Sequence, residues 1–533
     1  MRFLLVGLTS ALLLQGADAH KKVGPLFQTS DRCFACHNGL TTSAGEDVSI
    51  GFSWRPTMMA NSSRDPYWQS GVRRETIDHP ESAKEIQDEC SKCHMPMARF
   101  EANANGKLGE VFSHLGFDDS KRDDRLAEDG VACSLCHQIA KDKLGTRESL
   151  VGGFVVDTTR KLGEREEYGP YKIENGQTRI MRTSTEGYKP TESDHIRKSE
   201  VCATCHTLIT KALGPDGKVI GELPEQMPYQ EWLNSEYKDK QSCQSCHMPV
   251  IKEPVRITSV LGVTREEVSR HVFVGGNFFI QRMLNRYRGD LNVVALPEEF
   301  ESAATRTIAH LQSQTAQVSV GNVNVTAGRI QADISVENLS GHKFPTAYPS
   351  RRAWLHVTLK DRNGGVVFES GALDPSGQIR GNDNDADATK YEPHYTEITA
   401  PDQVQIYEDI MVDQAGKLTT GLLSAVRYVK DNRLLPRGFN KQGADAEIAV
   451  LGGAAQDQDF AAGGDKIRYS MNVANAQGPF QVEAELLFQP IGYRWANNLK
   501  PYNAEEPKRF VGYYESMASG SAVRIAQATR LLQ

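Results

Sequence analysis

Cysteine is missing everywhere except inside one repeated unit. The chain has ten cysteines in 533 residues, and none lies outside a Cys-x-x-Cys-His spacing. That excludes a disulfide framework, whose spacings vary. Long apolar runs are missing after Leu14, so no later segment has the ~20 apolar residues that cross a bilayer. Positive charge is not in excess. The net charge is −7, which argues against a nucleic-acid partner. Regular hydrophobic periodicity is missing from His20 to about Val250, where long polar loops such as Glu101–Lys107 and Asp118–Asp129 interrupt the pattern. Without a cofactor that half would be close to disordered.

The five units are Cys33-Phe34-Ala35-Cys36-His37, Cys90-Ser91-Lys92-Cys93-His94, Cys133-Ser134-Leu135-Cys136-His137, Cys202-Ala203-Thr204-Cys205-His206 and Cys243-Gln244-Ser245-Cys246-His247. This spacing suits covalent haem. Two thiols add to the two vinyl groups, and the next residue, His, ligates the iron from beneath the ring. A single Cys-x-x-Cys is as readily a zinc half-site or a redox dithiol. Zinc does not require His after every second Cys, and five copies that use every cysteine predict five c-type haems. Each porphyrin is a flat apolar body that replaces protein core. Short motif helices, irregular loops and little sheet are therefore expected in this half, and the propionates would add further negative charge.

The N-terminus has the pattern of a secretory signal. Arg2 is followed by the short apolar run Phe3 to Leu14 and by Ala17-Asp18-Ala19, a small-x-small cleavage pattern. Cleavage would leave His20 first. Export agrees with haem attachment outside the cytoplasm, in the periplasm or at the cell surface, with no membrane span once the signal is removed.

The second and third units are close in sequence, as are the fourth and fifth, which hints at paired haems. A helix is predicted over Glu298–Gln314, where Ala304, Ile308 and Leu311 form a stripe. Beyond it the period becomes two, in Val318/Val320, Val323/Val325 and Ile330/Ala332/Ile334/Val336. Trp354–Lys360 and Val366–Glu369 flank the turn Asn363-Gly364-Gly365. Later strands are read at Ile467–Val473 and Phe480–Phe488. Lys430–Asn440 is read as loop, Thr419–Tyr428 as helix or strand, and Arg509–Leu532 as partly helical. The expected class is α+β: residues 1–19 a signal, 20–315 an irregular, mostly helical multihaem domain, and 316–533 a β-sandwich-like domain with an irregular or helical tail.

Five haems need sixth ligands. The candidates are His79, His114, His195, His271 and His342. His271 opens a run containing Gly275 and Gly276, where backbone can approach a flat ring. His342 lies in Ser340-Gly341-His342-Lys343-Phe344-Pro345 between predicted strands, from which it would reach back to a haem of the N-terminal half. His356 alternates within a strand and is read as structural, with His310 and His394 held in reserve. Met95, Met97 and Met248 follow motifs too closely to cross a ring and are expected to pack at its edge.

The chain resembles the exported multihaem cytochromes c of bacterial respiration, with a haem-bearing N-terminal half and a β-rich tail. The resemblance rests on the five motifs, Cys246-His247-Met248-Pro249, the His271–Asn277 stretch, and Gly341-His342-Lys343-Phe344-Pro345-Thr346 followed by Arg351 and Trp354. It implies an electron carrier rather than a catalyst. The implied partners are redox proteins, either other cytochromes or a quinone-linked donor. Two alternatives remain. One is a haem oxidoreductase acting on nitrite or hydroxylamine at an open haem, although the Cys-x-x-Cys-Lys unit of pentahaem nitrite reductases is absent. The other is a self-associating filament subunit in which His20 would ligate a neighbour's haem.

Overall fold

Each motif rides on a short helix: Asp31–His37, Ala83–His94, Cys133–Cys136, Ser199–His206 and Cys243–His247. Residues three apart share a helix face. The two thiols of each unit therefore point the same way, with the histidine one step beyond. The computed structural model describes residues 23–326 and 328–532. The expected signal segment and His20 lie outside the described residues.

The N-terminal half has little sheet, as its pattern predicts. Three two-stranded ribbons join its helices: Arg165–Gly169 with Tyr188–Glu192, Leu208–Leu213 with Val219–Gln226, and Val255–Arg256 with Thr264–Arg265. One longer helix, Pro66–Asp78, is set by its start. Asp65 Oδ1 accepts the backbone N–H of Tyr67 at 2.9 Å and of Trp68 at 3.4 Å, and Pro66 opens the first turn. That cap satisfies donors the helix cannot, and proline costs nothing there.

The C-terminal half is built from strands β1 (Ala316–Thr326), β2 (Arg329–Asn338), β3 (Arg352–Lys360), β4 (Val366–Ser370), β5 (Glu397–Ile398), β6 (Ile406–Tyr407), β7 (Asp409–Asp413), β8 (Leu418–Thr419), β9 (Ala425–Asp431), β10 (Gly464–Asn472), β11 (Phe480–Gln489) and β12 (Val523–Leu532). One sheet runs β5-β10-β2-β1. A second runs β4-β3-β11-β12, with β6 also on β3, and β8-β7-β9 form a third. With these sheets and the helices the class is α+β, as the sequence predicts. The alternation of β2 is realised: Ile330, Ala332, Ile334 and Val336 are all buried. The β3–β4 hairpin turns at Gly364, whose φ of 79° suits glycine.

Two open readings of the sequence pattern are resolved. The tail is helical only over Glu505–Met517. Val523–Leu532 is instead a strand, because the free edge of β11 supplies its hydrogen bonds. Thr419–Tyr428 turns into strand at Ala425 for the same reason, pairing with β7. The facing sides of the two larger sheets share one apolar core with the helices Phe278–Arg286 and Pro297–Gln314. A separate core, with Leu26, Phe27, Met95 and Met97 fully buried, lies among the first three motifs. Among the described residues no helix is long and apolar enough to cross a membrane.

Candidate functional site

The motif helices converge on one connected cavity of about 2010 Å³. A site for one small ligand is ~300–1,000 Å³, so this space suits several bodies. All ten cysteines and all five motif histidines line it, and all ten are free thiols. His271, His310 and His342 line it too. Gly275 and Gly276 form part of the wall, and a Cβ built on Gly275 would meet nothing within 4 Å.

Thiols of different motifs meet across the cavity. Cys33 lies close enough to Cys133 to act on its thiol, and the same holds for Cys93 with Cys205 and for Cys202 with Cys243. The imidazoles repeat the order: His37 feels His137, His94 feels His206, and His206 feels His247. The first motif therefore neighbours the third, and the fourth neighbours both the second and the fifth. Closeness in sequence predicts the fourth–fifth pair but not the partner of the second. The helix Ala83–His94 is brought to the fourth motif by the chain's return, not by its neighbour in sequence.

The orientation of the rings is fixed from the backbone. Nδ1–H of His37 donates to Ile257 O at 2.6 Å, that of His94 to Ser62 O at 2.9 Å, that of His137 to Tyr168 O at 2.6 Å and that of His247 to Val274 O at 2.6 Å. A carbonyl only accepts, so the proton sits on Nδ1. Burial lowers the pKa of all four, to about 4 for His94. Each is thus neutral near pH 7, with a free lone pair on Nε2, which is the form that binds a metal. Two other histidines share this pattern: His271 donates to Ser269 O at 3.2 Å and His342 to Lys343 O at 2.8 Å. Trp68, placed by the Asp65 cap, stacks on His94 at 4.3 Å and 3°.

Pairs of imidazoles face each other at a telling distance. His137 and His271 are 6.4 Å apart between ring centres, and His247 and His342 are 6.2 Å apart with planes within 9°. An imidazole nitrogen lies ~2.0 Å from a bound transition metal, and the ring centre is about 1.1 Å further. Two rings sharing one metal would be separated by about 6.2 Å. His310 is also 6.0 Å from His247, tilted by 48°. Sequence reasoning undervalued it. The available signal was its place three residues after buried Thr307 and beside buried Leu311. Among the described residues no other imidazole faces His37, His94 or His206 in this way.

The remaining candidates lie off the cavity wall. His195 has the opposite tautomer. Its Nε2–H donates to Ile139 O at 2.8 Å, and Nδ1 accepts from Ser193 Oγ at 2.7 Å. His114 Nδ1 meets Asp124 Oδ1 at 2.7 Å, and His79 Nε2 meets Ser424 Oγ at 3.2 Å. His356 bridges Glu369 and Glu485 on the sheet. Met248 lines the cavity, whereas Met95 and Met97 are fully buried in the core beside it.

The loop carrying His342 is held by a buried charge network. Glu231, on the helix Pro228–Leu233, accepts Lys343 N–H at 3.1 Å and the Thr346 hydroxyl, and its other oxygen lies 3.1 Å from Arg433. Lys343 Nζ and Arg433 each reach Asp431 at 2.7 Å. Burial alone would raise Asp431, but those two cations hold its carboxyl below the usual range. Asn338 Nδ2 pins His342 O at 2.9 Å. A second cluster, His394 with Asp457 and Asp465, brings three ligand-type atoms within 4.8 Å of one another in the β region.

The fold is similar to that of a solved multihaem cytochrome. A penta-heme cytochrome c552 from Thermochromatium tepidum is similar in structure, with a TM-score of 0.54 and 15% sequence identity over 96% of this chain and 100% of that one. No protein-family model and no curated protein matches the chain.

Proposed function

We propose that this protein is an exported c-type cytochrome that carries five covalent haems and relays electrons. The observation that carries the reading is the convergence of ten thiols and five motif imidazoles on one cavity, four of these imidazoles with Nε2 left free. The residues fit the group. Cys33, Cys36, Cys90, Cys93, Cys133, Cys136, Cys202, Cys205, Cys243 and Cys246 would hold the porphyrins, and His37, His94, His137, His206 and His247 the irons. His271 and His342 are the best supported ligands on the opposite faces, opposite His137 and His247. Bound haem supplies reversible one-electron chemistry. The chain's part is to fix spacing, ring orientation and a dry surround. Cys136 of the third motif is in turn felt by Cys202 of the fourth and itself feels Cys205, so the attachment sites form a chain with the fourth motif as its branch to the third, the second and the fifth.

A second reading has one observation in its favour. No described imidazole faces His37, His94 or His206 at a metal-sharing distance, and a haem oxidoreductase acting on a small nitrogen compound would require one such open iron.

Mass spectrometry of the denatured chain tests the count. Five covalent haem masses are expected, and fewer would overturn it. Electron paramagnetic resonance separates the two readings. A wholly low-spin spectrum supports a relay, and a stoichiometric high-spin signal that nitrite converts supports the oxidoreductase. The natural partners would be redox proteins on the outer side of the inner membrane or at the cell surface.

A further inference from the structure

Most buried cations in this molecule come with carboxylates, although Arg165, off the cavity wall, bonds only the neutral Gln138 and Arg160 O. Arg352 meets Asp385 through two bonds of 2.8 and 2.9 Å, Lys430 meets Glu408 at 3.0 Å, and Lys343 and Arg433 share Asp431 at 2.7 Å. Arg351, beside Arg352 and half-buried on the cavity wall, has no carboxylate either. Its Nη1 donates to Thr346 O at 2.9 Å and its Nη2 to Asn277 Oδ1 at 3.1 Å. Both acceptors are neutral. Among the described residues no carboxylate lies within ion-pair reach of it. Burial alone acts on the guanidinium and lowers its pKa to about 10, so it remains charged near pH 7. An unpaired buried charge is costly unless something of opposite sign approaches it.

What approaches must come from the cavity. Arg351 lines it, and its charge is felt by both His206 and His342. It therefore sits between the fourth and fifth motifs, on the segment that also delivers His342, Tyr348 and Ser350 to the wall. A guanidinium has five N–H donors in a planar fork. Two are committed to Thr346 and Asn277, which hold the side chain still. The others are available for the bidentate contact that carboxylates and oxyanions favour.

We propose that Arg351 is an anion receptor inside the cavity, taking a carboxylate or a small oxyanion between the fourth and fifth motifs. The anion has two sources of the same chemistry. One is a propionate of an attached haem, which rests on the reading given above. The other is a soluble oxyanion entering the cavity.

The test compares the haem-loaded full-length protein with Arg351→Gln and Arg351→Lys, after mass spectrometry has counted the covalent haems in each. Two measurements follow: the midpoint potentials by spectroelectrochemistry, and binding of nitrite as the probe by calorimetry and optical titration. A propionate partner predicts that Arg351→Gln lowers the potential of one haem, since a lost cation favours the oxidised state, while Arg351→Lys largely restores it and nitrite has no effect. A soluble partner predicts saturable nitrite binding weakened at least tenfold in Arg351→Gln and partly kept in Arg351→Lys. Five attached haems with unchanged potentials and unchanged nitrite titration in Arg351→Gln would overturn the proposal and leave the haem reading intact. Should Arg351→Gln not mature, a crystal structure of the haem-loaded wild type soaked with nitrite decides: neither a propionate nor nitrite within hydrogen-bond reach of Arg351 would overturn the proposal. A chain without covalent haem would overturn the haem reading, and calorimetry with nitrite would still decide the soluble arm.

Discussion

Replacing Glu231 with Ala tests the link between the buried network and the loop that presents His342. The carboxylate is fully buried. It serves Lys343 N–H at 3.1 Å, the Thr346 hydroxyl, and Arg433 at 3.1 Å. Truncation leaves one backbone donor and one hydroxyl without an acceptor and weakens the compensation of a buried guanidinium. Breaking a buried ion pair costs ~3–5 kcal/mol. Arg433 keeps Asp431 at 2.7 Å and Asp409 at 3.3 Å, so the lower end, ~3 kcal/mol, is expected. Glu231→Gln keeps an oxygen for the two donors and loses only the charge, so ~1–2 kcal/mol is expected. Urea denaturation of the haem-loaded protein, followed by circular dichroism, measures both. Paramagnetic resonance on the same samples should show one low-spin signal broadened or shifted in Glu231→Ala, because Lys343 is bonded directly to His342. A Glu231→Ala protein within ~1 kcal/mol of wild type, with an unchanged spectrum, would refute the idea that this carboxylate holds the loop.

Three further outcomes are expected. His342→Ala should alter a single low-spin signal, with His310 at 6.0 Å from His247 as the substitute ligand; the double variant with His310→Ala should then show a full high-spin haem, and a wild-type spectrum in the double variant would place the ligand elsewhere. Glu225 has a pKa raised to about 7, chiefly by burial, and sits close to Cys90. It is neutral below that pH, so the stability it gives is full below the ordinary carboxyl value of ~4.3 and is lost as pH rises through 7. The new negative charge should also lower the potential of the haem at the second motif across pH 6–8, and Glu225→Gln should flatten that dependence in a spectroelectrochemical titration. Asp385→Ala leaves Arg352 unpaired in the β region, so thermal unfolding should register ~3–5 kcal/mol without a change in the haem spectrum.

The sequence made the strand half legible because its chemistry is local. Alternation in β2 reports a half-buried strand, and the Asn363-Gly364-Gly365 turn reports its hairpin. The helix Pro297–Gln314 was readable from its stripe. β12 was not, since only Ile525 among its residues is fully buried and the strand exists by virtue of β11's edge. In the site, the five motifs were readable outright. Which other histidines join them was readable for His271 and His342 only through their glycine and proline settings. It was unreadable for His195, whose tautomer is set by Ile139, a residue distant in sequence. The partners that orient the motif rings, Ile257, Ser62, Tyr168 and Val274, carry no side-chain signal at all, because each acts through its backbone oxygen.

That backbone control also separates the two histidine clusters of the molecule. By proximity, His394 with Asp457 and Asp465 is as good a metal site as any. Its hydrogen bonds say otherwise. Gln405 Oε1 accepts Tyr395 N–H, so its amide nitrogen must face His394 Nδ1, at 2.9 Å. Asn432 Oδ1 accepts Glu408 N–H, so its nitrogen also faces Nδ1, at 3.1 Å. With two donors aimed at it, Nδ1 holds the lone pair and Nε2 holds the proton. Nε2–H then donates to Asp457 at 3.0 Å, and the nitrogen a metal would need is occupied. Tyr407 donates to Asp465 at 2.9 Å, and burial raises that carboxyl to about 7, which removes part of the charge a cation would seek. The cluster is a closed hydrogen-bond network that ties β6 to β10. Six of the cavity histidines, His37, His94, His137, His247, His271 and His342, differ in one respect that decides their chemistry: their Nδ1 faces an acceptor, so Nε2 is left bare.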